Sequence, residues 1–173
     1  MSTSMLDIAT VEIELVRKLI HANEGSLFAI LDACDEPRIP IKAYDLGEKA
    51  ACLYRGKAEW SHAAIAPYLV SVKEAEFTWI TDNLAGTFWG YFMYVSTSVS
   101  LASMRTHLRR FLTIKGPQEE DLYFRFYDPR VILEFLETTT EEELNQFFGP
   151  IDELFLVQQT GLVSIKRTSV ERH

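Results

Sequence analysis

The sequence has 173 residues, of which 47% are hydrophobic, and its formal net charge at pH 7 is −8. This length and this apolar fraction suffice for one domain with a buried core. The negative charge argues against general nucleic-acid binding and against adsorption to anionic membranes, because both of these ligands are polyanions. The sequence has no signal-peptide pattern and no apolar run of membrane-spanning length. Two cysteines are too few for a disulfide scaffold, so we expect a cytoplasmic protein with reduced thiols.

Apolar residues spaced three and four apart predict a first helix over residues 8–22, with Asp7 as its cap and Gly25 as its stop. Pro37 disfavours helix at the residue before it and therefore predicts a turn. The elements predicted up to Gly86 are, in chain order, a strand at 27–31, the turn at 35–38, a helix at 40–51, a loop at 55–67, a strand at 68–72 and a helix at 74–83.

In the second half, residues 91–95 are apolar without alternation, which predicts a strand that is buried on both faces. Thr140 and Glu143 form a capping-box pattern at the start of a helix. The elements predicted here are the strand at 91–95, a helix at 98–112 capped by Ser98, a strand at 122–127, helices at 129–137 and 140–148, and a hairpin of strands at 154–157 and 162–165. We predict a single α/β or α+β domain over residues 1–173, with a mixed sheet flanked by helices and a frayed tail at 168–173.

Residues 124–131, with the sequence FRFYDPRV, combine a strand, a helix start and three charged groups. Asp128 stands where a helix N-cap is expected, and Pro129 suits the first helical position. Because Arg125 and Arg130 flank this carboxylate, the segment predicts an Arg–Asp–Arg cluster at a strand-to-helix corner. The cluster is open to two interpretations, a structural ion pair or a functional site.

No catalytic or cofactor-binding motif is present. The four histidines, at positions 21, 62, 107 and 173, lack metal-ligand spacing, so we expect neither a metal nor another cofactor. Nucleophile-elbow and glycine-rich phosphate motifs are also missing from the sequence. Asp32 and Asp35 would suit a catalytic carboxylate pair, although aspartates at such positions more often cap turns.

Two surface features have alternative interpretations. The basic run from Arg105 to Arg110 suits phosphate binding, a solvated helix face, or an ion-paired patch in which the acidic residues 119–121 are the candidate partners. Aromatic residues at 88–89, 91–92, 123–127 and 147–148 suit either a partner surface or a large aromatic core.

Six segments of the sequence resemble, in order, the signatures of one protein family. They are LFAILDA at 27–33 with DEPR at 35–38, APYLV at 66–70, WG at 89–90, HLRR at 107–110, FRFYDPRV at 124–131 and FFGPI at 147–151. The chain resembles the bacterial type VI secretion adaptor or effector-chaperone family from about residue 27 to residue 157.

This resemblance implies a non-enzymatic cytoplasmic protein that binds a toxic effector through an N-terminal or internal segment of that effector. It also implies loading of the effector onto the VgrG spike, whose C-terminal end is the second expected partner. Many relatives carry an additional C-terminal lobe, so contact with one partner or with both stays open. The positions that define the motifs either bind partners or build the fold, and they are Trp89, Gly90, His107, Arg109, Arg125, Asp128, Arg130, Phe148 and Pro150.

Two alternatives stay open beside the adaptor. An immunity-type protein would neutralise a toxin by blocking its active domain rather than its delivery region. A small hydrolase-like enzyme would bring Asp32, His107 and Arg125 together around one pocket.

Overall fold

A seven-stranded sheet organises the computed structural model, which describes residues 5–21, 25–158 and 161–168. The strands are β1 (Leu6–Val11), β2 (Ser26–Asp32), β3 (Ala50–Cys52), β4 (Pro67–Ser71), β5 (Gly90–Val95), β6 (Thr113–Lys115), β7 (Asp121–Tyr123), β8 (Glu153–Gln158) and β9 (Gly161–Arg167). The sheet order is β1-β9-β8-β5-β2-β4-β3, and β6 and β7 form a separate hairpin. Every strand pair in the described residues is antiparallel, so the predicted mixed sheet is wrong, and the fold is a single-domain α+β fold.

Helices cover both faces of this sheet. They are α1 (Ile13–Ile20), α2 (Arg38–Leu46), α3 (Lys57–Ser61), α4 (Glu74–Asn83), α5 (Leu101–Arg109), α6 (Pro129–Thr138) and α7 (Glu141–Phe148). Tyr91 and Met93 of β5 belong to a core with α5, α6 and α7, whereas Phe92 belongs to a second core with α1, α2 and α4. The predicted burial of this strand on both faces is confirmed. No helix among the described residues is long and apolar enough to cross a membrane.

The N-caps of α6 and α7 are the residues that the sequence predicted. The Asp128 side chain accepts a hydrogen bond from the backbone N–H of Arg130, and Pro129 is the first residue of α6. The capping box of α7 is formed by Thr140 and Glu143. Ser100 rather than the predicted Ser98 caps α5, where its hydroxyl accepts from the N–H of Ser103.

The predicted first helix is wrong in its first half. Residues 6–11 form β1, which pairs with β9, and α1 starts only after Glu12, so Asp7 is not a helix cap. The helix ends at Ile20, before the predicted stop at Gly25, and residue 22 lies outside the described residues. Pairing with a strand about 150 residues away therefore overrides the local helical pattern.

Three further segments differ from prediction. The helix predicted at 40–51 ends at Leu46 and is followed by a 3₁₀ turn and the short strand β3. The predicted loop at 55–67 contains α3. The strand predicted at 122–127 ends at Tyr123, because residues 124–128 turn to bring Phe126 into the core. Of the predicted frayed tail, residues 169–173 lie outside the described residues.

Candidate functional site

Three segments that are distant in the sequence meet at one corner of the sheet. Strand β2 ends at Asp32, whose N–H donates to the carbonyl oxygen of Trp89 at 2.6 Å, just before β5 begins. Residues 124–128 lead into α6 beside them. The corner surrounds a cavity of about 260 Å³, hereafter the corner cavity, lined by Asp32, Cys34, Asp35, Glu36, Thr87, Phe88, Trp89, Arg125 and Arg130.

Arg125 pairs with Asp32 across this corner. Its Nη2 donates to Oδ2 of Asp32 at 2.7 Å, while Oδ1 accepts from the N–H of Cys34 at 3.0 Å. Asp32 is only 5% exposed. Burial raises the pKa of Asp32, and the Cys34 N–H and the Arg125 guanidinium oppose this shift. The predicted Arg–Asp–Arg cluster therefore needs correction, because Arg125 bonds to Asp32 and not to Asp128.

Among the residues that the structure describes, Asp128 forms its ion pair with Arg130 and with no other cation. The guanidinium of Arg130 binds the carboxylate through two bonds, Nε to Oδ1 at 3.0 Å and Nη2 to Oδ2 at 2.8 Å. Burial would raise the pKa of Asp128, but the hydrogen bonds from Arg130 outweigh it and hold this pKa below its ordinary value. Arg130 also lies over the ring of Phe88, with its Cζ 4.3 Å from the ring centroid.

The Arg125 guanidinium retains capacity to bind a ligand. Its side chain is 44% exposed, and within the described residues its Nε and Nη1 have no hydrogen-bond partner. Phe88, on the same cavity, is 48% exposed. An oriented guanidinium beside an exposed aromatic ring can bind a peptide carbonyl or carboxylate together with an apolar group.

A second depression lies on the other side of Phe88. This apolar groove has a volume of about 240 Å³ and is lined by Phe88, Pro129, Arg130, Leu133, Leu156, Val157 and Gln158. Phe88 and Arg130 line both depressions, so their stacked side chains form the boundary between the corner cavity and the apolar groove.

His107, a predicted site residue outside this corner, lies in the interior. His107 is buried, with Nε2 2.6 Å from the carbonyl oxygen of Phe147 and Nδ1 3.0 Å from Nη2 of Arg110. Since a carbonyl only accepts and a guanidinium only donates, this network fits a neutral ring with the proton on Nε2. Burial lowers the pKa of His107. Gly149 lies against the ring at a φ of +49°, where an added Cβ would overlap Cε1.

The Arg109 guanidinium also has a structural role. Its Nε donates to the carbonyl of Leu53 at 3.0 Å, and its Nη2 donates to those of Cys52 and Tyr54 at 3.1 and 3.2 Å. Burial lowers the pKa of Arg109. Among the described residues the acids at 119–121 form no ion pair with the basic run, so that predicted pairing is wrong.

Gly90 and Phe148, two further motif residues, are part of the packed interior. Gly90 adopts a φ of +135°, and a Cβ there would overlap the carbonyl oxygen of Ile30. Phe148 is fully buried, whereas Pro150 is exposed in the turn after α7. The structure thus brings Trp89, Arg125 and Arg130 together around the corner cavity, with Asp128 bonded to Arg130, and leaves His107, Arg109, Phe148 and Pro150 outside its lining.

The corner cavity contains only two of the three residues proposed for a small enzyme. Asp32 and Arg125 line the corner cavity, but His107 does not, and both of its ring nitrogens have partners. Among the described residues there is no group of three His, Cys, Asp or Glu side chains placed to hold a metal ion.

Most of the aromatic residues belong to the core, which favours that interpretation of their abundance. Within the aromatic segments named above, Phe88 and Tyr123 are exceptions, at 48% and 75% exposed, and Tyr44 and Trp60 are exposed elsewhere in the chain. Phe88 was not nominated from the sequence, and Asp32 was considered only as a catalytic carboxylate, not as the partner of Arg125. The signal for Asp32 was a carboxylate that directly follows a continuous apolar strand.

The chain belongs to the family described as Domain of unknown function (DUF4123), whose sequence profile matches residues 27–146. This range includes every residue that lines the corner cavity and ends within α7. No curated protein and no solved structure matches the chain.

Proposed function

We propose that this protein is a type VI secretion adaptor, a non-catalytic chaperone that binds a cognate toxic effector in the cytoplasm and promotes its loading onto the VgrG spike. Support comes from the six sequence segments that resemble this class in order. The observation that carries the proposal is the corner where three of these segments, 27–38, 89–90 and 124–131, meet around an open cavity. The family description itself states no function.

The corner has the properties of a peptide-binding site. Asp32 holds Arg125 in one orientation, so little side-chain entropy is lost when its free nitrogens donate to a ligand. Phe88 offers an apolar surface next to them, and Arg130 supports the ring from one face. Aromatic and arginine side chains at the centre of an interface are the usual anchors, and truncation of one can cost about 2 kcal/mol or more.

A co-expression pull-down tests the function. The protein is the bait, and the preys are the C-terminal end of the spike and the N-terminal and toxin regions of the effector, each expressed separately. Capture of the N-terminal region, with or without the spike, is the expected result. Capture of the toxin domain alone would instead identify an immunity protein, and capture of no prey would contradict the adaptor.

Two variants then locate the binding surface. Arg125→Ala and Phe88→Ala should each reduce effector capture by about tenfold or more if they anchor the segment. Arg55→Ala is the control, because Arg55 is exposed and has no ion-pair partner in the described residues. Thermal melts must accompany the assay, since Arg125→Ala also leaves the buried Asp32 without its cation. Full capture by folded variants would remove the corner cavity from the binding site.

A further inference from the structure

The negative charge of the chain is concentrated in one segment. The segment between positions 116 and 158 holds 11 of the 25 acidic residues but only 2 of the 17 basic residues, so its net charge is −9. The rest of the chain has a net charge of +1. The segment contains α6 and α7, which cover one face of the sheet. Five of the acidic residues, Glu134, Glu137, Glu141, Glu142 and Glu143, lie on α6 and α7, so this layer favours the approach of cationic groups.

The outer face of α6 combines apolar and acidic groups. Leu133 and Glu134 each lie three or four residues from both Arg130 and Glu137, so these four residues share one face of the helix, while Ile132 and Leu136 are buried on another side. Glu134 and Glu137 are exposed and form no ion pair with any described residue. We refer to these two carboxylates as the acidic stripe.

Leu133 connects the acidic stripe to the apolar groove. Its side chain is half-buried and forms the α6 wall of that groove, opposite Leu156 and Val157 of β8. The volume of about 240 Å³ has room for a large aliphatic side chain. The groove lining does not include Glu134 or Glu137, but both carboxylates lie on the helix face that Leu133 shares. An apolar depression beside such carboxylates is complementary to an apolar side chain with cations near it in the sequence.

We infer that the apolar groove and the acidic stripe bind a basic amphipathic segment of the partner protein. The groove takes an aliphatic anchor, and Glu134 and Glu137 pair with Lys or Arg side chains placed three or four residues from it. The inference rests on the proposed function, because the partner protein is the effector that the corner cavity engages on the other side of Phe88. Polyanionic partners are disfavoured by the same carboxylates.

A displayed library of random 15-residue peptides, sorted on the folded protein, tests the inference. Enriched peptides should carry an aliphatic residue with at least two Lys or Arg residues beside it. Their affinity should fall by about tenfold or more in Leu133→Asp and in the double variant Glu134→Lys/Glu137→Lys. The double variant changes only exposed side chains, so it keeps the test valid if Leu133→Asp unfolds.

A matched control separates a specific site from general attraction between opposite charges. Asp45→Lys/Glu48→Lys makes the same change in net charge at exposed positions on the other side of the sheet, and it should leave affinity unchanged. Enrichment without basic residues, or an equal loss in the control, would overturn the inference.

The same variants in the effector pull-down distinguish the two proposals. Full effector capture by Glu134→Lys/Glu137→Lys would refute the groove and leave the adaptor function standing. The protein could instead bind the peptides through the groove and capture no effector region. That result would refute the adaptor function but not the binding of basic segments by the groove.

Discussion

Replacement of Gly149 by alanine should destabilise the fold clearly more than the same replacement at Gly47. Both glycines end a helix, and their backbones are nearly the same, with φ and ψ of +49° and −115° at Gly149 and +60° and −121° at Gly47. A Cβ at position 47 would meet no atom within 4 Å. At position 149 it would lie 3.0 Å from Nδ1 and 3.1 Å from Nε2 of His107, and closer still to Cε1.

The two costs can be estimated separately. The unfavourable backbone conformation should cost about 1–3 kcal/mol at either position. At Gly149 the His107 ring must also move away from the carbonyl of Phe147, and loss of that buried hydrogen bond should cost about 1–3 kcal/mol more. For a domain of this size, an excess of about 2 kcal/mol corresponds to a further decrease in Tm of about 4–8 °C.

Urea unfolding and thermal melts of the two variants measure this difference. A double-mutant cycle with His107→Ala adds a second check, because removal of the ring should reduce the cost of Gly149→Ala to that of Gly47→Ala. Equal losses of stability at the two glycines would refute the structural explanation of the Phe-Phe-Gly-Pro segment. That segment would then have to be explained by binding.

Three further predictions concern individual side chains. Tyr91→Phe removes the hydroxyl that donates to the carbonyl of Phe126 at 2.7 Å in the core, and it should cost about 1–3 kcal/mol in urea unfolding. Asp128→Asn should reduce the fall in the free energy of unfolding that the protein shows as pH is lowered into the acid range. Since its pKa is lowered on folding, the native carboxylate stabilises the fold above its ordinary pKa of 3.8, and this contribution is lost as pH falls through the native value. Arg109→Lys should keep the positive charge but lose the simultaneous hydrogen bonds to three backbone carbonyls. Faster amide hydrogen exchange at residues 52–54 would report this loss.

Each of these has a contradicting result. Unchanged stability of Tyr91→Phe would mean that water or another group donates to the Phe126 carbonyl in place of the tyrosine hydroxyl. Asp128→Asn with an unchanged acid limb would show that the pair with Arg130 does not survive in solution. Unchanged exchange in Arg109→Lys would mean that one ammonium group replaces the guanidinium.

The sequence predicted best what neighbouring residues determine. The start of α6 follows from Asp128 and Pro129, and that of α7 from Thr140 and Glu143, because a cap needs only residues within one helical turn. The two-sided burial of β5 was also readable, since its residues are apolar without interruption. Both features depend only on residues that are close together in the sequence.

Long-range partners were not predictable in the same way. Residues 8–11 have helical spacing, but they become a strand because β9 supplies hydrogen bonds from the other end of the chain. The candidate site shows the same limit. Arg125 was recognised as part of a charged corner, yet its partner Asp32 lies 93 positions earlier, and no local rule prefers it over Asp128. Such a pairing becomes visible only when β2 and the segment before α6 are packed together.

Pairing of β1 with β9 has a consequence for folding during synthesis. The register joins Leu6 to Arg167, so the first strand made is completed by the last one in the sheet. While the ribosome is still translating the intervening residues, the hydrogen-bonding edge of β1 has no native partner, and closing so long a loop is entropically costly. The family-matched strands β2 to β5 are neighbours at the other end of the sheet and can pair much earlier. Folding should therefore begin in the β2–β5 region, and strand β1 should dock last, after release of the C-terminal hairpin from the exit tunnel.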